Sequence, residues 1–165
     1  MNNPRNNVKI SKADFADLDD ILNLQMIAFI SEAELYNNYN IAPLVQTKES
    51  MIEDFNKYIF LKAVTNNKII GSVKGRDMGE YCWIGRLMVL PEYQNKGIGK
   101  ELMHAIEKEF PATPEFLLCT GYKSVKNMRL YESLGYNRME DSTPGIDGDV
   151  ELIKMVKHNN TAINI

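Results

Sequence analysis

The chain alternates between segments in which apolar residues recur at helical spacing and short apolar runs that are typical of buried strands. Near the N-terminus, an amphipathic helix follows Asp14, a residue type that favours the helix N-cap. Its apolar stripe consists of Leu18, Ile21, Leu22, Met26 and Phe29. Similar patterns predict helices over 97–109 and 125–134, and Gly135 favours the end of the second. Thr47 favours the start of another helix over 47–58.

Apolar runs predict the strands, and a further strand opens at Tyr136. The runs cover residues 8–12, 60–65, 69–76, 81–90, 116–120 and 150–156. Asn66 and Asn67 favour a tight hairpin turn, because Asn tolerates positive φ. Residues 31–46 have no clean period, and we expect a short helix followed by a loop around Pro43. The order β-α-α-β-β-β-α-β-α-β-β predicts an α/β fold with a mixed sheet and helices on both faces.

Composition narrows the class of protein. The 165 residues predict one domain, with a core over about 8–156 and a polar C-terminal tail over 157–165. A net charge of −3 argues against a dedicated nucleic-acid binder. Cys82 and Cys119 lie far apart without a CxxC pair, so we expect neither a disulfide framework nor a metal site. No apolar run approaches the ~20 residues of a membrane span, and no signal peptide is evident, so we expect a cytoplasmic protein.

Residues 89–100 carry the most chemical information. A strand ends at Pro91, and a polar turn with Gly97 and Gly99 leads directly into an amphipathic helix. Backbone N–H groups at a helix N-terminus bind phosphate-like anions, and glycines let such a ligand approach closely. Positions 94 and 101 lack the residues of a nucleotide P-loop, and Leu102 stands where GxGxxG needs its third glycine. The pattern leaves open whether the glycines bind an anion or only form the turn.

Two motifs resemble those of the GNAT superfamily of acyl-CoA N-acyltransferases. QNKGIG, residues 94–99, matches its (Gln/Arg)-x-x-Gly-x-(Gly/Ala) pattern, and LYESLGY, residues 130–136, resembles its LYExLGF-type motif. LMVLPEY before the first motif and the N-terminal ISKADFADLDDILNLQ are also similar to that family. The resemblance extends over residues 8–156. It implies a mostly antiparallel central sheet and the transfer of an acyl group, most often acetyl, from a coenzyme A thioester to an amine.

The resemblance also implies where acetyl-CoA binds. The turn amides would hold the pyrophosphate, and by position they belong to Gln94, Asn95, Lys96, Gly97, Ile98, Gly99 and Lys100. The pantetheine arm would pair like an extra strand with Leu87, Met88 and Val89, where one backbone N–H also stabilises the oxyanion of the reacting carbonyl. Ser124 and Asn127 are candidates for hydrogen bonds to the pantetheine amides, since Ser124 stands where many members carry Asn.

Tyr131 is the candidate general acid, because a positioned phenol can protonate the departing thiolate. A packing role is the alternative, since three apolar residues share its helix face. Many members carry a general-base Glu on the central strand, but WIGR, residues 83–86, holds no carboxylate. The candidates for the base are therefore Glu80, a carboxylate of segment 31–36 such as Glu34, or a water relay, and the amine losing its proton to solvent before it binds is a further alternative; the sequence assigns no base.

The acceptor implied by the resemblance is a primary amine of a small molecule or peptide. Glu32, Glu34, Tyr36 and Tyr39 suit a cationic amine, as the segment between the first helices often forms the acceptor wall in this family. A catalytically silent acyl-CoA-binding or sensor module is the alternative, which the missing strand Glu favours. A nucleotide-dependent kinase is disfavoured by the failed P-loop spacing. A homodimer is compatible with the sequence, whereas nucleic-acid and membrane partners are not expected.

Overall fold

Eight strands form one sheet in the computed structural model, which describes residues 7–140, 145–147 and 150–162. The strands are β1 Lys9–Lys12, β2 Ile59–Thr65, β3 Lys68–Asp77, β4 Cys82–Val89, β5 Glu115–Gly121, β6 Asn137–Arg138, β7 Gly145–Asp147 and β8 Val150–His158. Their order across the sheet is β1-β2-β3-β4-β5-β8-β6, and β7 also pairs with β8. Neighbouring strands are antiparallel except β4 and β5, which run parallel. The predicted mixed, mostly antiparallel sheet is confirmed.

Helices cover both faces of this sheet, as predicted. They are α1 Leu18–Ala28, α2 Ile30–Tyr36, α3 Ala42–Val45, α4 Lys48–Phe55, α5 Ile98–Lys108 and α6 Val125–Ser133. A methyl group on Gly75 of β3 would lie 2.7 Å from a ring carbon of Phe110 and 3.0 Å from Ile106, so the end of α5 packs directly on the strand backbone. The adjacent Lys74 contacts Asp54 of α4 on the opposite face. The core lies between these layers.

The apolar stripes predict the buried faces of the helices well. In α5, Ile98, Leu102 and Ile106 are buried, and the helix starts directly after Gly97. Thr47 caps α4, since its hydroxyl oxygen accepts a hydrogen bond from the Ser50 N–H at 3.2 Å. Periodicity in the sequence therefore identifies which side of each helix faces the sheet.

Three local features differ from the sequence-based expectation. The loop around Pro43 contains a helical turn, α3, because Pro43 suits the first turn of a helix. Strand β7, which no apolar run predicts, pairs with β8. The polar tail begins later than residue 157, because β8 pairs with β5 through His158, and Asn159 is buried and donates a hydrogen bond to the Thr113 carbonyl at 2.8 Å. Among the helices within the described ranges, none has the length and apolarity that crossing a bilayer requires.

Candidate active site

Strand β4 carries a β-bulge in the middle of the sheet. Lys74 of β3 pairs with Gly85 and Ser72 pairs with Met88, so β4 has an extra residue between these pairs. Arg86 within the bulge has a φ of 53°, in the left-handed region that few non-glycine residues adopt. A bulge bends and twists its strand, so β4 changes direction at this point.

The bulge accompanies a fork between β4 and β5. The two strands pair at Cys82 and Trp83, and over their remaining described residues no further pairs form. The edge of β4 that would face β5 is therefore open along Leu87–Val89, the segment predicted to pair with pantetheine. Met88 is buried in the core, whereas Leu87 and Val89 are half-buried. An open strand edge offers backbone donors and acceptors to an extended ligand.

The glycine turn leads from this strand into α5. Asn95 and Gly97 have φ of 60° and 84°, which turns the chain sharply before the helix. The Glu101 amide is bonded to the Gly97 carbonyl at 3.1 Å, so it begins the helical hydrogen-bond ladder. The amides of Ile98 to Lys100 belong to the first turn of the helix, where N–H groups have no intrahelical acceptor. The turn is exposed at Asn95 and Gly97, so these amides are placed for an anion.

Two side chains in this turn hold its shape. Gln94 donates a hydrogen bond from Nε2 to the Val89 carbonyl at 3.0 Å, and its Oε1 accepts one from Lys126 of α6 at 3.1 Å. Lys96 donates from Nζ to the Glu92 carbonyl at 3.1 Å. The side chains of Gln94 and Lys96 therefore brace the turn against the strand and α6. The backbone N–H of Gln94 donates to the Pro91 carbonyl at 3.2 Å, so this amide, predicted to hold the pyrophosphate, is already bonded.

Tyr131 lies on the buried face of α6, close to the glycine turn. It is 8% exposed, and its ring packs edge-on against Tyr136 with the centroids 6.1 Å apart. A methyl group on Gly99 would lie 3.6 Å from Leu130 and 3.9 Å from Leu87, so the turn, the open strand edge and α6 meet here. Burial raises the pKa of Tyr131, and the negative charge of Glu32 raises it further. The hydroxyl therefore keeps its proton at neutral pH.

Glu32 of α2 is bound to the start of α6. Ser124 donates from Oγ to Glu32 Oε2 at 2.5 Å, and Asn127 donates from Nδ2 to Oε1 at 3.2 Å. The backbone N–H of Lys123 donates to the Tyr36 hydroxyl at 2.7 Å, which is a second link between α2 and this loop. The two side chains predicted to bind pantetheine thus both bind Glu32 in this structure.

A cleft of about 590 Å³ opens at the fork, on the α4 face of the sheet. The bulged part of β4 and the α3–α4 segment form its walls, with Cys119 of β5 and Leu152 of β8 at one side. The described residues that line it are Ala42, Val45, Gln46, Thr47, Ser50, Asp54, Tyr58, Lys74, Trp83, Ile84, Gly85, Arg86, Cys119 and Leu152. The cleft lies beside the open edge of β4.

An ion pair forms the floor of this cleft. Asp54 Oδ2 accepts hydrogen bonds from Lys74 Nζ and Gln46 Nε2, both at 2.7 Å, and Lys74 Nζ lies 4.6 Å from the centre of the Tyr58 ring. Burial opposes ionisation of Asp54, but the hydrogen bond and charge of Lys74 outweigh it and hold the pKa of Asp54 below its usual range. Burial lowers the pKa of Lys74, and the hydrogen bond to Asp54 opposes that change. Gln25 donates to Gln46 Oε1 at 2.9 Å and so ties this floor to α1.

The acidic and aromatic residues expected at the acceptor wall lie elsewhere. Glu34 and Tyr39 are exposed and do not line the cleft, and Tyr36 instead packs against Tyr122 with the ring centres 5.6 Å apart. Glu80 is exposed in the turn before β4, and the cleft-lining part of that strand begins only at Trp83. The part of segment 31–46 that does line the cleft is its C-terminal end, because α3 folds back over the sheet.

A family model described as the acetyltransferase (GNAT) family matches residues 18–136, which include the bulge, the glycine turn and Tyr131. The chain belongs to the GNAT acetyltransferase family. The family predicted from the two sequence motifs is therefore confirmed. A comparison with curated protein sequences finds no significant match.

Solved structures with the GNAT fold superpose on most of this chain. The ribosomal-protein-S18-alanine N-acetyltransferase from Escherichia coli has a TM-score of 0.73 and 18% identity, over 92% of this chain and 93% of that one. The PaiA N-acetyltransferase from Thermoplasma acidophilum, in complex with coenzyme A, has a TM-score of 0.73 and 20% identity, over 92% and 98%. An Elizabethkingia anophelis GNAT acetyltransferase with acetyl-CoA bound has a TM-score of 0.65 and 18% identity, over 93% and 99%. These likenesses confirm the GNAT fold.

Within this GNAT domain, two side chains that the sequence did not single out for a role occupy the candidate site. Asp54 and Lys74 form the cleft floor, and Lys74 is the one clue in the sequence, as a charged residue after the uncharged run 69–73. Glu32 gave no clue to its partners, because Ser124 lies 92 residues further along the chain. Cys82 is fully buried, and burial raises the pKa of its thiol to about 12, which fits a packing role. No cluster of three or more metal-ligating side chains occurs within the described parts of the chain.

Proposed function

We propose that this GNAT domain transfers an acetyl group from acetyl-CoA to the primary amine of a small molecule or peptide, by direct attack of the amine on the thioester. The observation that carries the proposal is that Gly99, Leu87 and Leu130 lie close together. A methyl group added to Gly99 would be within van der Waals distance of both leucines. This proximity brings the turn amides, the open edge of β4 and the helix of Tyr131 to one place. Coenzyme A in the Thermoplasma protein and acetyl-CoA in the Elizabethkingia protein support acetyl-CoA as the donor.

The residues present fit this donor. Amides at the start of α5 would hold the pyrophosphate, aided by the N-terminal end of the helix dipole. The free edge of β4 along Leu87–Val89 would bind the pantetheine amides as an added strand, and one of its N–H groups would stabilise the oxyanion. Gly99 leaves the backbone accessible, since any side chain there would project towards Leu130 and Leu87.

Different groups of the chain then act in the successive steps of acetyl transfer. The amine nitrogen bonds to the carbonyl carbon while the β4 N–H stabilises the negative oxygen. As the carbon–sulfur bond breaks, the electron pair moves to sulfur, and Tyr131 supplies the proton that makes the free thiol. A phenol with a raised pKa is protonated at rest, as a general acid must be. Positioning of the acid against the leaving sulfur accelerates this step by about 10² to 10⁴.

The acceptor would enter through the cleft at the fork. Its volume of about 590 Å³ suits a small molecule or the end of a peptide chain. Tyr58 and Trp83 offer aromatic surface, and the Asp54–Lys74 pair offers hydrogen bonds that fix orientation. An acceptor of this size is held beside the thioester, which lowers the barrier by orientation.

The direct test is an acetyl-CoA assay with a panel of primary amines, read by release of free thiol and by the mass of the acetylated product. We expect at least one amine to give both signals in equal amounts. A parallel thermal-shift comparison uses acetyl-CoA, CoA, ATP and NADH, and ligand at 100 times its dissociation constant stabilises by about 2.7 kcal/mol. Stabilisation by acetyl-CoA without any acetylated product would identify a silent sensor. Stabilisation by ATP and not by acetyl-CoA would overturn the proposal.

A further inference from the structure

We propose that Glu32 is the general base of this domain and takes the proton from the acceptor amine. The inference rests on the proposed function and deepens it, because a second proton-transfer group is assigned to the same site. The central strand holds no carboxylate at residues 83–86, so a base must come from another element. Helix α2 supplies one beside Tyr131.

The placement of Glu32 is fixed by α6. Ser124 and Asn127 each bond one of its carboxylate oxygens, at 2.5 and 3.2 Å, and Ser124 is buried. Asn127 and Ser124 stand about one and two helical turns before Tyr131, on the same face of α6. The charge of Glu32 acts on the Tyr131 hydroxyl, so the carboxylate and the phenol share one environment. Glu32 is therefore bound to the face of α6 that carries the phenol of the proposed acid.

Other carboxylates fit the role less well. Glu80 and Glu34 are exposed, whereas Glu32 is half-buried. Asp54 lies in the cleft, but Lys74 and Gln46 both bond its Oδ2, and Lys74 holds its pKa below the usual range. A carboxylate held in this way is a poor proton acceptor. Within the described ranges, the hydrogen bonds that Glu32 accepts come from the neutral side chains of Ser124 and Asn127.

The groups around Glu32 are known from each element that packs on it. From α6 it faces Ser124, Asn127 and Tyr131, of which Tyr131 is titratable. From the loop before α6, the Lys123 ammonium lies over the Tyr36 ring at 5.6 Å from its centre. These groups make Glu32 and Tyr131 a paired acid and base.

The proton balance closes with these two residues. The neutral amine forms the new carbon–nitrogen bond and passes one N–H proton to the Glu32 carboxylate. The carbon–sulfur bond breaks, and the sulfur receives the Tyr131 proton. The Glu32 proton then returns to the tyrosinate, so amine and acetyl-CoA give amide and CoA thiol with both residues restored. Protonation of Glu32 also removes the negative charge that opposes ionisation of Tyr131, which makes Tyr131 a stronger acid when the thiolate departs.

The test compares Glu32→Gln with wild type over a range of pH, with kcat/KM calculated on the concentration of neutral amine. Wild type should lose activity at acid pH, because a general base must be unprotonated to accept a proton. Glu32→Gln should be slower by about 10² to 10⁴ and should lack this acid limb. Acetyl-CoA affinity should change less than about threefold, because the proposed role of Glu32 is to accept the proton of the amine and not to bind acetyl-CoA. Glu34→Gln, on the exposed side of the same helix, is the matched control and should keep the wild-type profile.

A second variant separates catalysis from folding. Glu32→Ala should regain acetyl transfer when formate, a small carboxylate, is added, whereas a purely structural role gives no rescue. A wild-type pH profile in folded Glu32→Gln, or a loss of acetyl-CoA affinity that accounts for its whole loss of rate, would overturn this inference and leave the proposed function intact. Absence of acetyl transfer by wild type to every amine would overturn both.

Discussion

At the cleft floor, Lys74 depends on a single carboxylate. Its side chain is 9% exposed and that of Asp54 is 25% exposed, with 2.7 Å between Nζ and Oδ2. Removal of one partner leaves the other charge poorly solvated, which costs about 3–5 kcal/mol for a fully buried pair. Because Asp54 is partly exposed, we expect Asp54→Asn to lower the free energy of unfolding by about 2 kcal/mol in urea denaturation at neutral pH. The Asp54→Asn/Lys74→Met double variant should recover part of this loss, and no recovery would contradict the pairing.

The same pair gives a pH dependence with a defined sign. The pKa of Asp54 is lower in the folded protein than the ~3.9 of an unfolded chain. Its contribution to stability is therefore complete above the unfolded pKa and is lost as pH falls through the folded pKa. Below about pH 4, wild type should lose unfolding free energy more steeply than Asp54→Asn. Parallel slopes for the two proteins in acid denaturation would show that Asp54 is not held ionised by Lys74.

At the scale of elements, a substitution at Gly99 tests acetyl-CoA binding without disturbing the fold. A methyl group there meets Leu130 and Leu87 at ordinary contact distances of 3.6 and 3.9 Å, so the start of α5 tolerates a side chain. Gly97 does not allow this test, since its φ of 84° strains any other residue. We expect Gly99→Val to keep the melting temperature and to weaken acetyl-CoA binding at least tenfold, about 1.4 kcal/mol, by calorimetric titration. Unchanged affinity in the folded variant would remove the turn from the donor site.

Helix α2 reaches α6 only because Gly121 has no side chain. A β-carbon at residue 121 would overlap the Tyr36 hydroxyl, so Gly121→Ala must shift the Tyr36 ring, which belongs to the last residue of α2. We expect faster amide hydrogen exchange in α2, unchanged exchange in α5 and slower acetyl transfer, as Glu32 moves with its helix. Gly85→Ala is the control for added bulk, because its nearest neighbour would lie at 3.5 Å. Protection of α2 equal to that of wild type would show that the overlap is relieved locally.

The elements themselves were largely predictable from the sequence. Stripes such as Ile98, Leu102 and Ile106 repeat because one helix face must be buried, and Asn66 and Asn67 turn the hairpin with φ of 49° and 58°. The bulge at Arg86 was not predictable, since the left-handed residue is neither Gly nor Asn. Local pattern thus determines elements, but irregular backbone depends on what packs around it.

At the scale of the whole molecule, the site is assembled from distant parts of the chain. The positions of motif residues such as Gly99 and Tyr131 in the fold were predictable, because each belongs to a short pattern on one element. The Glu32–Ser124 bond was not, because it joins residues 92 positions apart through the packing of α2 on α6. The cleft floor likewise depends on α4 and β3 lying on the same face of the sheet. Chemistry that needs two elements emerges only from the fold.

The central claim is that the domain performs acetyl transfer with Tyr131 as the acid, and Tyr131→Phe tests it most directly. The substitution removes one oxygen and keeps the ring that packs on Tyr136. Single-turnover acetyl transfer should fall by about 10² to 10⁴, with melting temperature and acetyl-CoA affinity near those of wild type. The loss should be smaller for an acyl donor with a more acidic leaving thiol. A single-turnover rate equal to that of wild type in stable Tyr131→Phe would contradict the claim.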